Sequence, residues 1–393
     1  MIFHSLKLLW ARKNKNILMV LEISFSFVIL FLLFSSLYNK FINASHVTGT
    51  DTNNVMIVYL EKDYLLDNEK ETENLKEIYT TIKSNIKSHS NVLKFSEIDY
   101  SHPYSSSWNI NNLELDSGIN QGYTVQYLTP NAVDLLDLHY IEGGKVTKDQ
   151  LTHNDKRKSV IVNKQLYDKI SKYITPDNEI IDGETRYKIY GIVDYYNHQS
   201  DFEDQKDVMV IVDKPTNSCS RLAIKTIDDP RKSEAEIVSL IEKANPRLKI
   251  SIDYLDSMRD NKNKSEILPL FLMAFVALFL VINIALGLYG VLWYNINKRK
   301  GEIGIRRAMG ASTQDIFKQI FSEVLLLFII GIFLGSSIAI QFPILGAFNF
   351  SNTEYFMGAL LSLGFVLLIT IACGYYPSKL ATKITPLEAL HEL

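Results

Sequence analysis

KRKGEIGIRRAMGASTQD, residues 298–315, decides how the rest of the chain is read. It is the only strongly basic segment between two long apolar runs, one ending near Tyr294 and the other beginning near Ile316. A basic connection of this kind marks the cytoplasmic side of a membrane. Ile305, Ala308, Met309, Ser312 and Ile316 recur at helical spacing while Glu302, Arg306 and Arg307 point elsewhere, which predicts a short amphipathic helix. Gly310 stands where a helix ends in a left-handed cap, and Ser312 with Asp315 forms a loose capping box for the next helix. An interfacial helix laying its basic side on lipid headgroups gives the same pattern.

Four apolar runs surround this segment: residues 17–40, 267–294, 316–341 and 357–376. Lys7, Arg12, Lys13 and Lys15 precede the first, within an amphipathic start at 1–16. That run is too long for a signal peptide and lacks a small-residue cleavage site, so it reads as an uncleaved anchor. Glu22 lies inside it, where a charge costs roughly 2.5–3.5 kcal/mol at mid-bilayer and less near the interface, so a partner on a neighbouring helix or snorkelling is expected. The second run, at ~1.5 Å per residue, measures about 42 Å against a hydrocarbon core of about 30 Å, so it projects beyond the bilayer as a stalk. Asn283 and Gly287 share one face of it and predict close packing with an interhelical hydrogen bond. Gly331 and Gly335 do the same for the third run, and Glu323 near its inner end has Lys318 as a nearby ion-pair partner. The short link 342–356 carries no Lys or Arg, as an outer loop should. In the tail, 377–393, Thr385-Pro386-Leu387-Glu388 forms a capping box opening a short helix.

The formal net charge of −3 hides a division. Outside Lys40–Glu266 there are twelve Lys or Arg and seven Asp or Glu; inside, 29 and 37. An acidic block between basic membrane flanks argues against nucleic acid as a partner. The two cysteines, Cys219 and Cys373, fall in different compartments and form neither a bridge nor a zinc site. Residues 41–266 read as an extracytoplasmic α+β domain. Val55–Leu60 is β-rich, and Leu75, Ile78, Ile82 and Ile86 mark a helix. Strands follow at Val92–Ile98, Tyr123–Leu128, Ser159–Asn163, Tyr187–Val193, Val208–Val212 and Arg221–Thr226, then a second helix at Asp229–Ala244. The order implies a strand-rich lobe inserted into an α/β one. No nucleophile elbow, HExxH or phosphate-binding loop occurs, so the chain is expected to bind no cofactor. The histidines are scattered, with no metal expected. Asp194–His198 reads as an exposed loop, and the aromatic stretches Tyr100–Trp108 and Tyr195–Phe202 as surfaces for an apolar substrate or a partner protein.

EIGIRRAMGAS resembles the cytoplasmic loop of MacB/FtsX-type ABC transporter permeases, with Glu302, Gly304, Arg306, Arg307, Gly310 and Ala311 in order. ITPLEALHEL resembles that family's tail, although Ser378-Lys379-Leu380 stands where the family shows a basic pair. TVQYLTPNAVDLLDLHYIEGG, KSVIVNKQLYDKI and YKIYGIVDYYNHQSDFED are similar, more thinly, to its periplasmic domain. The resemblance implies four transmembrane helices plus a two-lobed α+β extracytoplasmic domain inserted between helices 1 and 2. It also implies that the loop 295–315, with Glu302, Ile303, Gly304, Ile305, Arg306, Arg307, Met309 and Gly310, docks on an ATPase, and that Glu323 matches an acid of the family.

The function these readings imply is a non-catalytic permease subunit in a bacterial inner membrane, both termini cytoplasmic. It would pass ATP-driven motion from a separate cytoplasmic ATPase dimer, which holds the ATP and Mg, to its outer domain to export or release a drug, peptide or lipoprotein. A second permease chain, identical or paralogous, completes the unit, with or without a periplasmic adaptor and outer-membrane channel. The alternative is an FtsX-like signalling protein that controls a cell-wall hydrolase and moves no cargo.

Overall fold

The computed structural model describes residues 13–46, 49–61, 69–99, 102–115, 118–151, 156–196, 199–214 and 221–382. The amphipathic start, Asn197-His198, His153, Cys219 and the capping box at Thr385 lie outside the described residues. The chain divides into two units, Met1–Phe41 with Ile267–Leu393 and Ile42–Glu266. Among the described residues, four helices are long and apolar enough to cross a membrane: Ile17–Ser45, Leu255–Lys298, Thr313–Ile344 and Asn352–Ala381.

Along the chain, helix α1 (Lys13–Ser45) leads into the inserted unit. There follow β1 (Val55–Glu61), α2 (Glu69–Lys87), β2 (Val92–Glu97), β3 (Asn109–Leu115), β4 (Ile119–Leu128), α3 (Pro130–Leu136), β5 (Tyr140–Gly143), β6 (Arg157–Asn163) and α4 (Lys164–Ile170). Next come β7 (Glu179–Asp182), β8 (Thr185–Val193), β9 (Val208–Val212), β10 (Arg221–Thr226), α5 (Glu234–Ala244) and β11 (Lys249–Tyr254).

The outer pieces of this order form a four-stranded antiparallel sheet, β11-β1-β10-β2. Alternation along β1 splits its side chains between two cores. Met56, Val58 and Leu60 join Ile82 and Ile86 of α2 and Ile237 and Ile241 of α5. Val55 and Ile57 face a second core with α3 and with Val208, Val210 and Val212 of β9. The middle pieces form a mixed sheet in the order β3-β4-β9-β6-β8-β5, with β7 paired to β8; β4 runs parallel to β9 and β6 to β8. A third core of Val160, Val162, Leu166, Ile170 and Met209 covers its far face. Two lobes therefore share the central core, as the strand order predicted. Thr129 caps α3 by accepting from the Ala132 N–H, with Pro130 in the first turn. Strands β3, β5, β7 and β11 were not predicted: each is short or polar on its exposed face, and β5 and β11 pair with strands far along the chain, whereas β3 and β7 are arms of local hairpins with β4 and β8.

The tyrosine-rich stretches are not the exposed surface the sequence suggested. Tyr104, Tyr195 and Tyr196 are buried, and Tyr196 donates to the Gln126 side chain. Trp108 stays open, under the Lys206 ammonium.

The membrane unit continues with α6 (Leu255–Lys298), α7 (Lys300–Ala308), α8 (Thr313–Ala339), α9 (Gln341–Ile344) and α10 (Asn352–Ala381). Small residues set its packing. A Cβ on Gly331 would lie 2.6 Å from Ile23 Cγ2, and one on Gly335 3.0 Å from the Ser24 carbonyl oxygen, so α8 seats on α1 at these two positions. Ser24 Oγ donates to the Gly331 carbonyl oxygen at 2.8 Å, across the contact. Gly358 of α10 meets Ser35 of α1 in the same way.

Candidate functional site

The basic connector is a nine-residue helix, α7, held at both ends by backbone chemistry. Gly310 closes it at φ +97°, with its N–H on the Arg307 carbonyl and the Ala311 N–H on that of Arg306. Ser312 then accepts from the Asp315 N–H at 3.2 Å while Asp315 Oδ2 accepts from the Ser312 N–H at 3.1 Å, a full capping box that starts α8.

Its side chains divide differently from the sequence expectation. Ile303 and Gly304 are buried, Ile303 within the core that holds Ile296, Ile316 and Ile320. Ile305 is 50% exposed and Met309 76%. An apolar pair one helical turn apart therefore points outward, while the polar residues turn back onto the protein.

Three arginines do the turning back. Arg299, 7% exposed, donates from Nη1 to both carboxylate oxygens of Glu323, at 2.8 and 3.1 Å, and its Nε lies 3.5 Å from Glu302 Oε2. Among the described residues, its Nε and Nη2 make no hydrogen bond. Arg306 donates to Glu302 at 2.7 Å within the helix and to Gln319 Oε1 at 2.7 Å on α8. Arg307 donates to the Thr382 carbonyl oxygen at 2.9 Å, a cation on the C-terminal end of α10. The connector is thus tied to α8 twice and to α10 once, and a displacement of α7 is resisted by charged contacts on two membrane helices.

The intramembrane polar residues fall as follows. Glu323 pairs with Arg299 and not with Lys318, because the Lys318 side chain is on the exposed side of α8 whereas Glu323 looks inward. Among the described residues Asn283 makes no interhelical bond: its amide donates to the Phe279 carbonyl oxygen of its own helix at 2.8 Å. Gly287 does permit a close approach, since a Cβ there would sit 2.7 Å from Glu22 Oε2. The Arg299–Glu323 pair was missed as a unit because 24 residues and a turn separate its members, and no local pattern joins them.

The inserted unit offers no catalytic constellation among the described residues, and no group of His, Cys, Asp and Glu there could hold a metal ion. A cleft of ≈ 290 Å³ is lined by Phe95, Pro130, Leu151, Lys148 and Lys214 among others, an apolar floor with amines at its rim.

Comparison with known proteins matches residues 273–386 to the FtsX-like permease C-terminal family, a span holding the whole connector and all of α8 and α10. Two relatives are both described as a macrolide export ATP-binding/permease protein MacB. That of Bdellovibrio bacteriovorus is 32% identical over 128 residues, 32% of this chain and 20% of the relative. That of Bordetella avium is 27% identical over 169 residues, 41% of this chain and 25% of the relative. The matches therefore span no more than about a quarter of these relatives' own length. Among solved structures, the periplasmic region of MacB from Actinobacillus actinomycetemcomitans aligns with a TM-score of 0.35 and 12% identity, over 53% of this chain and 91% of that one.

Proposed function

We propose, from the premise that this chain is a MacB/FtsX-type ABC transporter permease, that it converts ATP-driven movement of a separate cytoplasmic ATPase into movement of an extracytoplasmic domain. The arrangement of α7 carries the reading. Ile305 and Met309 point outward as an apolar foot for a partner, whereas Ile303, Arg299, Arg306 and Arg307 fasten the same helix inward to α8 and α10. A push on the foot is thereby delivered to the membrane helices and not absorbed by a loose loop. The connector and both termini lie in the cytoplasm, as the positive flanks favour, and residues 42–266 lie outside. Two such chains, or one with a paralogue, stand on an ATPase dimer that supplies ATP and Mg. Export is the output that the relatives' names support, and the cargo is left to chemistry not yet tested.

Sidedness and partnership are testable together. In a chain with Cys219 and Cys373 replaced by Ser, Arg306→Cys should resist a membrane-impermeant maleimide added to intact cells, while Asn112→Cys reacts. The ATPase should co-purify with the parent chain and be lost from Ile305→Asp and Met309→Asp. Labelling of Arg306→Cys from outside, or retention of the ATPase by both variants, would count against the proposal.

A further inference from the structure

The first turns of α6 and the last turn of α1 both grip one short segment of the inserted unit, residues 199–204, which joins β8 to β9 of the seven-stranded sheet. Asp201 is its centre. Its Oδ2 accepts from Arg259 Nε at 2.7 Å and from Asn263 Nδ2 at 2.8 Å, and its Oδ1 accepts from the Tyr104 hydroxyl at 3.0 Å. The Asn263 side-chain oxygen, Oδ1, in turn accepts from the Asp201 N–H and from Ser200 Oγ, both at 2.9 Å. From the other helix, Asn43 Nδ2 donates to Asp204 Oδ1 at 2.9 Å. The His46 ring stacks on Tyr195 with centroids 4.7 Å apart.

This is more than a helix resting on a domain. Ser200 is 3% exposed and Tyr104 fully buried, and the Asp201 side chain is 13% exposed, so water competes little at this carboxylate, whereas the Asn43–Asp204 bond lies at the surface. Charge-assisted hydrogen bonds to a carboxylate are short and directional, and they hold their partners in register where apolar packing tolerates sliding. Arg259 also reaches Thr52 Oγ1 at 3.4 Å, on the strand of chain that leaves α1. Apolar contact supplies a second attachment for α6 through buried Leu255, on the central core, so removing the polar one should loosen the joint without detaching the helix.

We propose that the segment 199–204, with Asp201 as its hub, is the joint through which movement of the two long helices reaches the seven-stranded sheet. The inference rests on the transmission reading above. It makes Asp201, Arg259 and Asn263 positioning residues, engaged with one another and not with cargo or nucleotide.

The test uses the full chain with its ATPase in liposomes, with the native cysteines replaced by Ser and nitroxide labels on introduced cysteines. One pair, Lys264→Cys with Asn112→Cys, reports helix against lobe; another, Lys264→Cys with Gln341→Cys, reports movement of the helix itself. On trapping with ATP and vanadate, the parent chain should shift the second distance and keep the first narrow and unchanged. In Asp201→Ala and in Asn263→Ala, the second distance should still shift while the first broadens or changes, because the helix moves and the lobe lags. Asn263→Ala keeps the Arg259–Asp201 ion pair, so it decides the matter if Asp201→Ala does not fold. A first distance as narrow and invariant in Asn263→Ala as in the parent chain overturns the joint alone. Absence of any shift in the second distance of the parent chain overturns the transmission reading and the joint with it.

Discussion

Two short connectors, α7 with its flanks and residues 199–204, both mix charged with apolar residues, the first basic and the second acidic. Their structures are opposites. In α7 the polar groups are turned inward to Glu323, Gln319 and Thr382, and the apolar Ile305 and Met309 are left outside. In 199–204 the carboxylate of Asp201 is engaged on both oxygens. An apolar side chain left exposed on an element that is otherwise tied down marks where another protein can bear on it. A carboxylate with both oxygens engaged marks where the chain bears on itself.

The contrast breaks most sharply at Arg299. If that pair fastens α7, Glu323→Ala leaves a guanidinium buried without its counter-charge and should cost about 3–5 kcal/mol, read as a lowered unfolding midpoint in detergent. A midpoint within about 0.5 kcal/mol of the parent chain would mean that the pair is solvated and fastens nothing.

Next in size is a buried imidazole at the border of the two lobes. His102 Nδ1 donates to the Pro103 carbonyl oxygen at 3.0 Å, with the Tyr59 hydroxyl 3.4 Å from Nε2. Burial pushes it from 6.5 down to about 4, opposed chiefly by the hydrogen bond to Pro103, with a smaller downward push from Arg221 and smaller upward pulls from Asp253 and Asp99. Between these values the unfolded chain binds a proton that the folded chain refuses. Stability is therefore full above about pH 6.5 and falls as pH drops toward 4, by on the order of 3 kcal/mol. Unfolding followed at pH 7 and pH 4.5 should show this slope in the parent chain and a reduced one in His102→Gln.

A smaller effect tests the helix seats. Gly358→Ala would put a Cβ 2.0 Å from Ser35 Oγ and 2.8 Å from the Ser35 nitrogen, so it should destabilise by about 1–3 kcal/mol, whereas Gly290→Ala, with nothing within 4 Å, should not. The smallest is the cap between the two helices: Ser312→Ala removes the acceptor for the Asp315 N–H and should cost about 1 kcal/mol in the same assay.

What the sequence showed and hid follows from range. The end of α7 at Gly310, the capping box at Ser312 and the apolar runs are written in adjacent residues, and each was readable. Periodicity groups Ile305 and Met309 on one apolar face of α7 without saying whether that face is buried, and in the structure both are exposed. Here Ile303, with Gly304 beside it, is what the helix buries. Glu323 was readable as a buried acid, but its partner was not, and neither was the bond of Asn283 to its own helix. The hub at Asp201 left no signal, since its donors come from residues 58 and 62 positions further on and 97 positions back.

The central claim is that α7 receives the ATPase's movement through Ile305 and Met309. It is tested most directly by the rate of ATP hydrolysis of the partner ATPase reconstituted with the parent chain and with Ile305→Asp. The variant sits on an exposed position and should unfold within about 0.5 kcal/mol of the parent chain. The account predicts that this well-folded variant no longer alters the hydrolysis rate that the parent chain alters. A variant that alters the rate as the parent chain does would contradict it.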